Sequence, residues 1–208
     1  MKTCLIISGG DFCNLPAACH YDFVIACDHG YDHAVKLRIK PDLLLGDFDS
    51  IGITPEDTDS NVRIYPAQKD DSDTMLAVKY ALKHGYEKIL ITCALGGRLD
   101  HAIANIQTMA YVASNGVECE LFGAGEHLRT FTGKEIELGV KAGRSLSLFA
   151  LTDRCEHVSI SGAAYNVKDT TLTNTFPLGL SNKWADESVK ITMENGILLI
   201  VESDMFSE

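Results

Sequence analysis

The chain has no Gly-x-x-x-x-Gly-Lys-Ser/Thr segment, and no Gly-x-Gly-x-x-Gly follows an apolar run. Those absences remove the two commonest glycine-loop phosphate cradles. Gly123-Ala124-Gly125-Glu126 starts like one, but it lacks the third glycine and comes after the last strand of its series. Positive charge is also scarce: 18 Lys and Arg stand against 29 Asp and Glu, a net charge of -11. That argues against a general affinity for nucleic acid or anionic membrane, both of which need clustered Lys and Arg. It leaves an anionic small molecule open, because a bound metal inverts the local sign. No run approaches the ~20 apolar residues of a membrane span, and the apolar run within Met1–Gly10 is too short for a signal peptide. The seven cysteines are odd in number and include no Cys-x-x-Cys. Several sit inside apolar runs, as Cys4, Cys27 and Cys93 do, and read as small buried hydrophobes in a reducing compartment. The expectation is a soluble, cytoplasmic protein. The lone tryptophan, Trp184, reads as a packing residue. There is no internal repeat and no low-complexity segment.

Hydrophobic residues make up 46% of the 208, enough for a sizeable core. The first part of the chain alternates strand and helix signals. Strands are expected at Cys4–Ser8, Asp22–Cys27, Leu43–Gly46, Val62–Tyr65, Lys88–Ala94 and Val117–Phe122, short and rich in Ile, Val and Leu as doubly covered strands are. Helices are expected at Tyr31–Ile39, at Ser72–His84 with Ser72 or Asp70 as cap and Gly85 as stop, and at Ala102–Ser114. Alternation of this kind implies βαβ units and a mainly parallel, doubly wound sheet. Near Gly123-Ala124-Gly125 the pattern changes to short alternating runs: Leu128–Thr132, Glu135–Val140, Ser145–Leu151, His157–Ser161, Thr170–Thr173, Val189–Glu194 and Ile197–Glu202. Asn195-Gly196 reads as the turn of a two-residue hairpin. The expected organisation is an α/β domain over residues 1–124 and an all-β domain over residues 125–208.

Three acidic clusters each follow an apolar run: Gly46-Asp47-Phe48-Asp49-Ser50, Asp70-Asp71-Ser72-Asp73-Thr74 and Gly96-Gly97-Arg98-Leu99-Asp100-His101. If the runs are parallel strands, all three lie along one edge of one sheet, where ligands of open α/β sheets bind. Carboxylates gathered there repel unless something positive neutralises them, and a hard divalent cation carrying a polyphosphate does so. Asp47 and Asp49 alternate around Phe48, so two carboxylates can share one cation; a polar turn explains the cluster equally well. Asp70, Asp71 and Asp73 enter a helix, where acids are favoured anyway, and Ser72 and Thr74 add hydroxyls. In the third cluster two glycines allow close backbone approach, Arg98 offers a planar fork for phosphate, and Asp100 caps the helix, binds metal or accepts a proton. His29 and His33 have the spacing of zinc helices, but no third ligand is evident.

Taken in order, these clusters resemble the thiamine pyrophosphokinase family, and the resemblance covers nearly the whole chain. Ile39-Lys40-Pro41-Asp42-Leu43-Leu44-Leu45-Gly46-Asp47-Phe48-Asp49-Ser50 matches its most specific motif closely. Cys27-Asp28-His29-Gly30 is similar to its first acidic loop, Asp70–Thr74 to its second, and Gly96–Asp100 to its Gly-Gly-Arg-x-Asp loop. Gly162-Ala163-Ala164-Tyr165 and Leu180-Ser181-Asn182 resemble its thiamine-binding β segments. The resemblance implies a Rossmann-like N-terminal domain, a C-terminal β-sandwich and a homodimer with shared active sites, and transfer of pyrophosphate from ATP to the hydroxyethyl oxygen of thiamine with release of AMP. It implies Mg²⁺ on the triphosphate held by Asp47, Asp49 and Asp73. Catalytic roles fall on Asp49, Asp73, Arg98 and Asp100, with Asp73 or Asp100 taking the proton. Asp28, Gly30, Ser72, Thr74, Gly97 and Arg98 would hold ATP, and Tyr165, Ser181 and Asn182 thiamine. Two positions depart from the pattern. Asp28-His29-Gly30 stands where many relatives have Asp-Gly-Gly or Asp-Gly-Ala, and Tyr165 stands where some have tryptophan; an aromatic face still suits a cationic ligand.

Two rivals remain at this stage. Leu45-Gly46-Asp47-Phe48-Asp49-Ser50-Ile51 partly resembles the nucleophile loop of haloacid-dehalogenase-type Mg-dependent phosphatases, although it follows the third strand instead of the first. A non-catalytic thiamine or nucleotide binding module would bind ligand and make no AMP.

Overall fold

The structure is a computed structural model that describes residues 1–46, 61–64 and 71–205. The chain divides into two compact units, Met1–Ala124 and Gly125–Glu208.

The first unit runs β1 Thr3–Ile7, β2 Phe23–Cys27, α1 Gly30–Leu37, β3 Leu43–Gly46, β4 Asn61–Ile64, α2 Asp73–Lys83, β5 Lys88–Thr92, α3 Leu99–Ser114 and β6 Glu118–Phe122. Every pairing is parallel: β1 lies between β2 and β5, β3 joins β2, β4 joins β3, and β6 joins β5. Successive strands therefore step one way from β1 to β4, and β5 and β6 then fill the opposite side of β1. A reversal of this kind opens a crevice at the strands' carboxyl ends. The sheet centre is apolar because it is covered on both faces: Leu5, Ile6, Ile7, Ile25, Leu44, Leu45, Ile89 and Ile91 are all fully buried.

Two helix starts depart from expectation. α1 begins at Gly30 and stops at Leu37, where Arg38 turns into the left-handed region (φ 59°) and donates its N–H to the Ala34 and Val35 carbonyls. α3 begins at Leu99, three residues before the apolar periodicity does. Its N-cap is Arg98, with no side-chain cap, so Asp100 is a first-turn residue and not the cap. α2 is capped as its sequence suggests, with Ser72 Oγ accepting from the Met75 N–H at 3.2 Å.

In the second unit the strands are β7 Glu126–Phe131, β8 Glu135–Gly139, β9 Arg144–Ala150, β10 Arg154–Ser161, β11 Val167–Thr173, β12 Gly179–Asn182, β13 Ser188–Thr192 and β14 Leu198–Asp204. They form two antiparallel sets, β12-β9-β14-β7 and β11-β10-β13-β8. Side chains of both sets share one core, including Leu146, Leu148 and Ile200 from the first and Val158, Ile160, Val189 and Ile191 from the second. Trp184 packs against that core and donates its indole N–H to the Leu138 carbonyl at 3.1 Å.

Asn195-Gly196 does not close a hairpin. β13 and β14 belong to different sheets, and Asn195 bridges to Glu156 instead. Gly196 (φ 113°) makes the corner; a Cβ there would sit 2.6 Å from the Arg154 carbonyl oxygen. All seven cysteines are free thiols, and six are buried, with Cys19 half-buried. Among the described residues no helix is long and apolar enough to cross a membrane.

Candidate active site

At the carboxyl ends of the parallel strands lies a cleft of about 560 Å³. Its walls come from four loops: Ser8–Asp11 after β1, Cys27–His29 after β2, Asp71–Thr74 at the start of α2, and Ala94–Arg98 after β5 with His101 and Asn105 on α3. Asp28, Ser72, Asp73, Thr74, Gly97 and Arg98 are therefore brought together, as the sequence suggests. Asp47, Asp49 and Asp70 lie outside the described residues. Gly30 does not line the cleft. A Cβ there would meet the Ile7 carbonyl oxygen at 2.0 Å, so its role is to let α1 pack against the end of β1. Asp100 is likewise absent from the cleft wall.

Each loop is held by bonds that reach across the chain. Ser8 and Thr74 share a buried hydroxyl–hydroxyl hydrogen bond of 2.6 Å, fixing the start of α2 against the end of β1. Ser72 Oγ spends an acceptor position on the helix cap and keeps its O–H to donate. Lys79 grips both oxygens of Asp71 at 2.8 and 2.7 Å. Asp71 is thus neutralised within the chain, and both Asp71 and Asp73 line the cleft. His33 Nε2 pairs with the Gly10 carbonyl at 2.8 Å, a bond that braces the β1 loop.

Arg98 and Asp100 form a two-pronged pair, Nε to Oδ1 at 3.1 Å and Nη2 to Oδ2 at 2.5 Å. Asp100 Oδ1 also accepts the His101 N–H at 3.0 Å. Hydrogen bonding to Arg98, followed by the His101 N–H, holds Asp100 below the usual carboxylate range, and the same contact raises Arg98. The two-pronged contact fixes the direction of the Arg98 guanidinium, which lines the cleft.

Two elements went unread in the sequence. The Gly9-Gly10-Asp11 loop lies against the Gly96 loop so tightly that a Cβ on Gly96 (φ 77°) would fall 2.0 Å from Asp11 Oδ2. Asn105, a turn into α3, is buried and donates Nδ2 to the Ala94 carbonyl at 2.7 Å. The glycine pair after the first apolar run was the available signal for the former; nothing local marks Asn105.

In the second unit, Asn182 is 6% exposed. Its Oδ1 accepts the backbone N–H groups of Tyr165 and Lys183 at 3.0 and 2.9 Å, and its Nδ2 donates to the Tyr165 carbonyl at 2.7 Å. These bonds brace the backbone of Tyr165, a residue that is 69% exposed. Ser181 has a left-handed backbone (φ 58°) and donates its N–H to Ser147 Oγ at 3.0 Å. Its own hydroxyl remains available.

A helix N-terminus and an arginine fork suit phosphate, and facing aspartates suit a hard cation. Together they mark an α/β protein of the phosphate-handling class with an all-β unit attached. Residues 17–121 match the family model of the thiamin pyrophosphokinase catalytic domain, and residues 134–198 match that of the thiamin pyrophosphokinase vitamin B1 binding domain. The chain belongs to the thiamin pyrophosphokinase family. It is 26% identical over 212 residues to a thiamine pyrophosphokinase of Bacillus subtilis, covering 98% of this chain and 99% of that one. It is 27% identical over 181 residues to thiamine pyrophosphokinase 1 of Oryza sativa, covering 79% and 67%. Crystal structures share the fold: the Bacillus subtilis thiamine pyrophosphokinase superposes with a TM-score of 0.85 at 24% identity over 98% and 99% of the two chains. The Candida albicans thiamin pyrophosphokinase gives 0.76 at 14% identity over 98% and 89%.

Proposed function

We infer that the chain transfers the pyrophosphoryl group of ATP to the hydroxyethyl oxygen of thiamine, giving thiamine diphosphate and AMP. The observation that carries this is the joint match of a catalytic and a vitamin B1 binding family model over most of the chain, with Asp73, Ser72, Gly97 and Arg98 converging on one cleft. No comparable support exists for the phosphatase or the non-catalytic module.

The nucleophile is a neutral alcohol and the attacked atom is the β-phosphorus. Catalysis of such a step is chiefly positioning and charge stabilisation. The α2 N-terminus presents backbone N–H groups to the phosphates. Arg98, aimed by Asp100, exchanges or shares its carboxylate partner for phosphate oxygens as charge moves toward the leaving AMP. Asp73, on the cleft wall, or Asp100, paired with Arg98, would accept the proton of the alcohol. The donor set of carboxylates and hydroxyls fits Mg²⁺, which prefers one or two carboxylates with phosphate oxygens. Asp47, Asp49 and Asp73 would hold it, and when bound it neutralises charge on the polyphosphate.

Tyr165 offers an aromatic face to the thiazolium cation, held by Asn182, with Ser181 beside it. The exposed Phe176, Leu178 and Leu180 lie in and just before edge strand β12. Apolar side chains there fit a homodimer whose partner completes the thiamine pocket. The Rossmann-like doubly wound sheet, the β-sandwich, the functional division at residue 124 and a cytoplasmic location belong to the same reading. The test is product analysis with ATP, Mg²⁺ and thiamine, beside Asp73→Asn and a control without thiamine. AMP and thiamine diphosphate in equal amounts, lost in the variant, support the reading; ADP with thiamine monophosphate, or free phosphate, overturns it.

A further inference from the structure

Cys13 and Cys93 are nucleophilic side chains that the proposed reaction does not use. They are 80 positions apart in sequence, yet their sulfurs lie 3.9 Å apart, and they are 4% and 0% exposed. Cys13 is in the loop between β1 and β2, two residues past the cleft residue Asp11. Cys93 follows β5 and directly precedes Ala94, also on the cleft wall.

The two loops are laid on each other at this point. Gly10 donates its N–H to the Cys93 carbonyl at 2.7 Å, Asp11 to the Leu95 carbonyl at 2.9 Å, and Cys13 to Cys93 Sγ at 3.5 Å. A Cβ on Gly10 would meet the Leu95 and Cys93 carbonyl oxygens at 2.7 and 2.8 Å, so no slack separates the strands of backbone. Cys93 itself holds a left-handed backbone (φ 55°), uncommon for a residue with a side chain. Of the two thiols, Cys13 is the more acidic: hydrogen bonding from Cys93 chiefly, and from Thr92, lowers it, whereas donation to Cys13 and burial push Cys93 up. A disulfide needs the sulfurs at about 2.05 Å. Side-chain rotation, with a shift of the Ser8–Asp22 segment, which holds no helix or strand, must supply the difference.

We propose that Cys13 and Cys93 form a redox-modification site, which a small hydroperoxide oxidises to a disulfide that shifts the Gly9–Asp11 loop against the Ala94–Arg98 loop and slows turnover in the cleft. The steps balance. The Cys13 sulfur attacks one peroxide oxygen, the O–O bond breaks, and the released hydroxide takes a proton to become water. Cys93 sulfur then attacks the Cys13 sulfenic sulfur, and the displaced hydroxide leaves as water with the Cys93 proton. Two thiols are oxidised by two electrons, and one hydrogen peroxide is reduced to two waters. Exchange with a small thiol reverses the bond. Burial of both sulfurs selects hydrogen peroxide over bulky disulfides such as oxidised glutathione. A reversible bond of this kind suits a reducing compartment, where disulfides are transient and regulatory.

The test uses the reduced full chain, treated with hydrogen peroxide, alkylated and digested, with AMP formation followed in parallel. The expected result is a mass lowered by about 2 Da, two hydrogens, with a peptide pair linked through Cys13 and Cys93. Because sub-ångström to ångström misplacement is costly, AMP formation should fall about tenfold or more and return with dithiothreitol. Cys13→Ser should show neither linkage nor peroxide sensitivity, with unchanged activity when reduced. Absence of the link, linkage through other cysteines, a link with unchanged AMP formation, or equal peroxide sensitivity in Cys13→Ser would each overturn the proposal. If the reduced chain makes no AMP, the proposed function fails separately, and the linked peptide still decides whether the site exists.

Discussion

Replacing Glu202 by Gln should cost the second unit about as much as any single polar change in the chain. Glu202 is 0% exposed, at the end of the β14 row that also carries the core residues Leu198 and Ile200. Its carboxylate is ringed by Arg129 Nη2 at 3.2 Å, His127 Nδ1 at 3.7 Å, Arg144 Nη1 at 3.8 Å and Lys141 Nζ. Burial alone would push the carboxyl up. Hydrogen bonds from His127 and Lys141 and the charges of Arg129 and Lys141 outweigh burial and lower it from 4.5 to about 2. At about 1.4 kcal/mol per pH unit that difference is about 3 kcal/mol. Removing one member of a buried ion cluster costs ~3–5 kcal/mol by a separate route, the charges left uncompensated. For a chain of this length, about 3 kcal/mol lowers Tm by roughly 6–12 °C. The sign follows from proton binding: the unfolded carboxyl takes up its proton at higher pH than the folded one. The stabilisation is therefore full above pH 4.5 and is lost as pH falls from 4.5 through about 2. Urea unfolding of wild type and Glu202→Gln from pH 7 to 2 reads both effects, because every other carboxylate is common to the two proteins. The variant should be weaker by about 3 kcal/mol at neutral pH, with the gap closing below pH 4.5. A variant within about 0.5 kcal/mol of wild type, or parallel acid profiles, would refute the reasoning.

Other outcomes concern the cleft and the exposed ring. Gly96→Ala, whose Cβ would meet Asp11 Oδ2 at 2.0 Å, should lower AMP formation about 100-fold by displacing the loop. Gly85→Ala, after α2 and away from the cleft, has the same left-handed backbone (φ 72°) and meets nothing within 4 Å, so it carries only left-handed strain of about 1–2 kcal/mol and its rate should stay much nearer wild type; equal losses in steady-state assays would contradict the packing account. Arg98→Lys should lower kcat about 100-fold without changing Tm, because the fork and not the charge alone is used. Tyr165→Ala should raise KM for thiamine roughly tenfold, while Tyr165→Phe keeps it, the ring face being the part that matters; equal KM values for the two variants would exclude a cation–π role.

The parallel half of the fold was legible because its strands are covered on both faces. Cys4-Leu5-Ile6-Ile7 and Lys88-Ile89-Leu90-Ile91 read as apolar runs and become β1 and β5 within a residue or two. Ser72 was legible as a cap because capping is local. Features decided by distant partners were not legible. Asn195-Gly196 carries a strong hairpin signal, but only the packing of Gly196 beside Arg154 shows that it turns a corner between sheets. β12, Gly179–Asn182, has no hydrophobic alternation and exists because it pairs with β9. At the site, carboxylates and Arg98 stood out by type. The β1 loop looked like a plain Gly-Gly turn, since the carbonyls that fix it belong to Cys93 and Leu95, more than 80 residues on. Asn182 stood out as a polar residue in a β segment, but its bonds to the Tyr165 backbone, 17 residues earlier, could not be read there.

The most direct test of pyrophosphoryl transfer is to follow the β-phosphorus. ATP labelled at the β-position is incubated with thiamine, Mg²⁺ and the protein, and the products are separated. Attack at the β-phosphorus predicts that the label leaves ATP in thiamine diphosphate while AMP stays unlabelled. Label found in ADP, with thiamine carrying a single unlabelled phosphate, would contradict it.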